Sequence, residues 1–174
     1  MKIQIILLLL LLAAGRTAVA AENVMFNGTL VALPCTLPDG DREIRVNMGT
    51  VNAQSLYLQQ GMPRVPFTLH LGDCDPAIAG QVSITFAGTE DGALPGYLAI
   101  DGDRSGAAGV AIGLESSSGE QIKINQAMAA YPLQAGNNEL GFQAYIAGEP
   151  EAVKNRMINT GDFISTATLE LSYD

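Results

Sequence analysis

The chain has 174 residues, eighteen of them acidic and nine basic, for a net charge of −9. A surface this acidic repels nucleic acid and anionic membranes, so neither is expected as a partner. Two cysteines and a single histidine are too few ligands for a structural metal centre.

The first twenty residues read as an export signal. Lys2 is followed by the apolar run Ile5–Leu12, and the stretch ends on Ala18-Val19-Ala20. A positive start, a short apolar core and an A-x-A ending describe a secretory signal peptide cleaved after Ala20. A retained membrane helix needs ~20 apolar residues. This run is shorter, and no later segment qualifies. The mature part would be Ala21–Asp174, 154 residues, a natural size for one domain. It keeps seven basic residues against eighteen acidic ones, a net of −11.

Val24, Phe26, Gly28, Leu30 and Ala32 share one parity and predict a strand. Gly28 is out of place there, because glycine weakens a strand unless something must approach closely. Cys35 and Cys74 in an exported chain suggest a disulfide. It would close a loop of 38 intervening residues, worth about 3–4 kcal/mol in the chain-entropy view.

Pro38-Asp39-Gly40-Asp41 is a turn, and Ile44, Val46 and Met48 alternate as a short strand stopped by Gly49. Gln54–Gln60 is ambiguous and Pro63–Pro66 reads as a break. Further alternating strands follow at Phe67–Leu71, Val82–Phe86, Val110–Leu114, Ile122–Ile124 and Leu140–Ile146, with a brief one at Tyr97–Ile100. The stretches 127–136 and 148–159 read as connections. The chain closes on Gly161–Asp174, where Phe163, Ser165, Ala167, Leu169, Leu171 and Tyr173 fall on one face. Ile164, Thr166, Thr168, Glu170 and Ser172 fall on the other. Terminal residues fray unless tied down, so something must hold this edge. Eight or nine short strands without a sustained helical stripe predict an all-β, antiparallel sandwich of immunoglobulin type.

Catalytic signals are weak. Asp101-Gly-Asp103-Arg-Ser105-Gly106 imitates the start of a calcium loop, but Ile112 stands where the bidentate glutamate belongs and no helices flank it. Asn27-Gly28-Thr29 fits a glycosylation sequon. His70 has no nucleophile motif nearby. The carboxylates Glu90-Asp91 and Glu149/Glu151 sit in loops with no apolar pocket signal to raise a pKa. No enzyme and no cofactor is indicated.

Four features together resemble the pilin subunits of bacterial chaperone–usher fimbriae over nearly the whole mature chain. Val24-x-Phe26-x-Gly28-x-Leu30 runs into Cys35, and Cys74 follows Phe67-x-Leu69-x-Leu71. Gly109–Leu114 is similar to the family's mid-domain strand. Gly161 stands fourteenth from the end, followed by alternating apolar residues and a penultimate Tyr173.

The resemblance implies an incomplete immunoglobulin-like sandwich lacking its final strand. A signal peptide (1–20) and a donor-strand extension (21–33) would precede a pilin domain (34–174). Val24, Phe26, Gly28, Leu30 and Ala32 would be donated to a neighbouring pilin subunit. Gly161, Phe163, Ala167, Leu169, Leu171 and Tyr173 would bind a periplasmic chaperone, and an outer-membrane usher would assemble the subunits into a surface fimbrium. From Val24 to Ala32 is ~27 Å at ~3.3 Å per residue, comparable with Phe163–Tyr173. The short lead before Val24 is closer to minor, tip or adaptor subunits than to rod subunits. The alternative is a secreted, self-contained sandwich acting as an adhesin or lectin-like module, in which both end segments are ordinary strands.

Overall fold

The computed structural model describes residues 25–30, 32–58 and 62–174. The expected signal peptide, Val24 and Val31 lie outside the described residues. Residues 25–30 form a unit apart from 32–174 and carry no regular secondary structure; Met25, Phe26 and Leu30 are exposed. Among the described residues, the strand expected there is not formed.

The remainder is built on eight strands in two antiparallel sheets. Val65–Cys74 (β1), Leu98–Ala99 (β3), Val110–Ser116 (β4), Gln121–Ile122 (β5) and Gly136–Gly148 (β7) make the larger sheet, in the order β1-β7-β4-β3 with β5 on β4. Gln81–Ala87 (β2), Tyr131–Pro132 (β6) and Thr168–Tyr173 (β8) make the smaller one, in the order β6-β2-β8. Two five-residue helices, Ala53–Tyr57 (α1) and Pro150–Lys154 (α2), stand in the connections. The side chain of Asn52 caps the first, accepting from Gln54 N at 2.9 Å, and Pro150 opens the second.

Alternation of burial explains the layers. Val82, Ile84 and Phe86 of β2 are almost fully buried and meet Leu69 and Leu71 of β1 and Leu140, Phe142 and Ile146 of β7 in one core. Phe86 stands edge-on to Phe142 at 5.2 Å and to Phe67 at 6.2 Å, so three rings from both sheets interlock. β4 is buried at every position. Its inner row, Val110, Ile112 and Leu114, joins the core. On its outer row the Tyr145 ring lies across Gly113, its direct cross-strand partner, and Arg64 reaches Glu115 with two hydrogen bonds of 3.1 Å.

Several expectations are corrected. Residues 63–66 are not wholly a break, since β1 starts at Val65 and takes in Pro66. Proline fits because even-numbered residues of β1 face away from β7: Gly72 exchanges hydrogen bonds with Thr36 and His70 N donates to Asp41. A short strand, β6, and a helix, α2, stand in the two stretches read as connections. The ambiguous Gln54–Gln60 contributes most of α1. β5 stops at Ile122, before Asn125 takes a left-handed φ of 62°. Ile44, Val46 and Met48 alternate in burial as expected, yet among the described residues they pair with no strand.

Candidate functional site: an unpaired strand edge

In an antiparallel ladder alternate residues direct both N–H and C=O at the same neighbour. Asp174 N donates to Gln81 O at 3.1 Å and Gln81 N donates back at 3.2 Å. With Ser172 opposite Ser83, Glu170 opposite Thr85 and Thr168 opposite Ala87, the even-numbered residues of β8 face β2.

The same side is satisfied upstream by a loop rather than a strand. Asp101 N donates to Ile164 O at 2.8 Å, Ser105 Oγ accepts from Ile164 N at 3.1 Å, and Gly106 N donates to Asp162 O at 2.8 Å. Arg104 donates to the Asp101 carboxylate, which holds its pKa below the ordinary aspartate range. The stretch resembling a calcium loop thus acts as a clasp on the C-terminal segment.

The odd-numbered residues Phe163, Ser165, Ala167, Leu169, Leu171 and Tyr173 direct their backbone groups to the other side. Among the described residues, none pairs with them there. Their side chains face the core but are only half-buried. Register makes the contrast sharp: Val82, Ile84 and Phe86 are 0%, 0% and 5% exposed, and they lie directly beside Tyr173, Leu171 and Leu169. Burial still pushes the Tyr173 phenol upward in pKa.

A second row has the same character. Ile44, Val46, Met48 and Val51 pack half-buried against the same core, and residues 43–51 make no backbone–backbone hydrogen bond among the described residues. Two segments therefore pack apolar side chains half-buried on one core while leaving backbone groups unpaired among the described residues. Unpaired edges of this length invite strand addition.

The disulfide joins Cys35 to Cys74, both buried. Thr36 and Gly72 exchange hydrogen bonds of 2.7 and 2.8 Å beside it, and Asp75 N donates to Pro34 O at 2.7 Å. The start of the domain is thereby pinned to the end of β1. Phe26, Gly28, Leu30 and Ala32 are exposed, whereas Gly161 packs against the clasp. Sequence reasoning weighed residues 101–106 only as a calcium loop, set that aside, and assigned them no other role, so it missed the clasp. It read Ile44, Val46 and Met48 as a short strand from their alternation, which the burial pattern follows, but alternation gave no sign that the backbone there lacks a partner among the described residues.

Fold and open edge together define an incomplete immunoglobulin-like sandwich of the pilin kind. The chain belongs to the fimbrial protein family, which it matches over residues 24–174. It is a structural, non-enzymatic subunit of a surface fimbrium.

Among its relatives are the uncharacterized fimbrial-like protein YfcP of Escherichia coli K12 and the fimbrial adapter PapK of Escherichia coli. The first is 35% identical over 94% of this chain and 90% of the relative. The second is 32% identical over 97% and 96%. The fold is similar to that of the P pilus rod subunit PapA, with a TM-score of 0.69 at 19% identity over 82% of this chain and all of the other.

Proposed function

We propose that the subunit polymerises by donor-strand exchange within a chaperone–usher pathway. Its groove, between residues 43–51 and 161–173, takes a strand first from a periplasmic chaperone and then from the N-terminal extension of the next subunit. Strand addition of this kind is a recognised mode of pilin assembly. The single observation that carries the reading is the half-burial of Leu169, Leu171 and Tyr173 beside fully buried β2 partners. One more strand would complete both the ladder and the core.

Val24, Phe26, Gly28, Leu30 and Ala32 would be the donated set, and the exposed Phe26 and Leu30 would be covered in another molecule. A head-to-tail contact of this sort does not close on itself and generates a filament. Residues 1–20 direct export to the periplasm, an outer-membrane usher receives the chaperone-bound subunit, and the finished fibre contributes to cell adhesion. The likeness to a fimbrial adapter and the short lead before Val24 support an adaptor or other minor position.

Urea unfolding of the mature protein, alone and with a peptide matching Glu22–Leu33, tests this. A weak or aggregating transition that the peptide raises markedly is the expected result. A cooperative transition that the peptide leaves unmoved would overturn it in favour of a self-contained binding module.

A further inference from the structure

Asn27-Gly28 is the one asparagine–glycine pair in the chain. Both residues are exposed, they lie in no strand or helix, and among the described residues beyond its two chain neighbours none comes within 4 Å of where a Gly28 β-carbon would be. We propose that Asn27 is a spontaneous deamidation site that limits how long an unassembled subunit stays competent to donate its strand. The coupling to assembly rests on the donor-strand reading above.

The chemistry needs only water. The deprotonated backbone nitrogen of Gly28 attacks Cγ of Asn27, a C–N bond forms, and ammonia leaves, closing a five-membered succinimide. Water then opens either carbonyl, giving aspartate or isoaspartate. Glycine favours the attack because it carries no side chain to shield its nitrogen and its backbone turns freely. The other asparagines are each followed by a residue with a side chain. Several are also held: Asn125 bonds both ways to Gly88, Asn138 to Gln134, and Asn52 caps a helix.

Isoaspartate routes the main chain through the former side chain and adds one methylene to the backbone. A strand reads its two faces with a period of two and bonds its neighbour at fixed spacing. The extra atom throws Leu30 and Ala32 out of step with Val24 and Phe26, so the two halves no longer fit one groove. Seated in a neighbour's groove, Gly28 N would be held in an extended ladder and unable to reach Cγ.

The test compares the exported chain before assembly with the same chain in fibres, both incubated at 37 °C at neutral and mildly alkaline pH. Peptide mapping follows the mass gain at Asn27, and methyltransferase labelling detects isoaspartate. Conversion is expected first at Asn27 in the free subunit, faster at higher pH, with little in the fibre. Gly28→Ala should slow it several-fold, Asn27→Gln should abolish it, and converted subunits should fail to join fibres. Absence of conversion in the free subunit would overturn the site and leave the donor reading untouched. Equal conversion in both states would overturn the coupling and count against Val24–Ala32 as the buried donor.

Discussion

Gly161 lies directly against the backbone of Gly106: a β-carbon at 161 would come 2.6 Å from the Gly106 carbonyl carbon and 2.9 Å from the nitrogen of Ala107. These are backbone atoms, which cannot swing aside as a side chain would. The closeness lets the hydrogen bonds from Gly106 and Ala107 to Asp162 O form. Gly161→Ala should therefore push the clasp off the C-terminal segment and cost about 1–3 kcal/mol, the usual range for overpacking. Hydrogen exchange would show it as faster loss of protection at Asp101, Gly106 and Ala107 than at Phe86 or Phe142. An unchanged exchange pattern would remove the clasp from the account of this edge.

The outer face of the larger sheet has its own tight contact. A β-carbon on Gly113 would sit 2.3 Å from the Tyr145 ring, which Arg64 covers at 4.7 Å and whose hydroxyl donates to that of Tyr97 at 3.1 Å. Gly113→Ala should displace the ring, loosening the Tyr97 contact and the packing of Arg64, for a loss of about 1–3 kcal/mol. There is no tryptophan in the chain, so the change in near-ultraviolet circular dichroism around the tyrosine band reports mainly on the tyrosines. Burial, with the bond to Tyr97, raises the Tyr145 phenol well above the ordinary range in the folded protein. Alkaline titration of the variant should show that phenol ionising at lower pH.

Much of the fold was legible because the strands obey simple alternation. Phe67–Leu71, Val82–Phe86 and Leu140–Ile146 each pack one face on the core, and the period of two gives that away. The short elements were harder. β6 has two residues and α1 five, too few for periodicity to accumulate. Ile44, Val46 and Met48 misled for another reason: alternation reports which side chains face inward, not whether a neighbour hydrogen-bonds the backbone. The clasp was illegible because Asp101 and Ser105 act through long-range backbone contacts to Ile164, fifty-nine residues from Ser105, that no local spacing encodes. The C-terminal segment was legible as a half-packed strand, and its open edge was expected from the resemblance alone; the register with β2 shows which face of the backbone is unpaired among the described residues.

Glu149 supplies a pH-dependent prediction. Burial, with a smaller contribution from Asp91, raises its carboxyl pKa above the ordinary glutamate range. For a group whose folded pKa is raised, the stabilising contribution is present below the unfolded pKa and lost as pH rises through the folded one. At neutral pH the ionised group therefore burdens the fold. Glu149→Gln should raise the unfolding midpoint modestly near pH 7, with the advantage shrinking as pH falls through the carboxylate range. Urea midpoints for both proteins across that range would check it, and a benefit that grew on acidification would contradict the assignment.

The parity of the C-terminal strand can be read out by paired substitutions. Leu171 faces the core and is half-buried, whereas Glu170 is exposed on the opposite face. Leu171→Glu places a charge on the row an added strand must cover, so capture by a co-expressed periplasmic chaperone should be lost. Glu170→Lys alters only the outer face and should leave capture intact. Co-purification measures both. Loss in both variants, or in neither, would mean that the odd-numbered row is not the docking surface.

Gly28→Leu separates folding from assembly. Gly28 has a φ open to any residue and empty space where a side chain would go, so the chain's own domain has nothing to lose. The midpoint of unfolding in the presence of an added Glu22–Leu33 peptide should match the unmodified protein. On the donor-strand reading, the same position would lie between Phe26 and Leu30 on the inward face of a neighbour's groove, where a glycine suits a close approach. Leucine would have to be accommodated against packed side chains at about 1–3 kcal/mol or more, and a donor that seats poorly should be displaced or never inserted. Incorporation into fibres, scored by immunogold labelling or by the subunit's share of sheared fibre, should fall several-fold. Normal incorporation would show that Gly28 faces away from the groove, and would shift the donor register by one residue or remove Val24–Ala32 from the exchange.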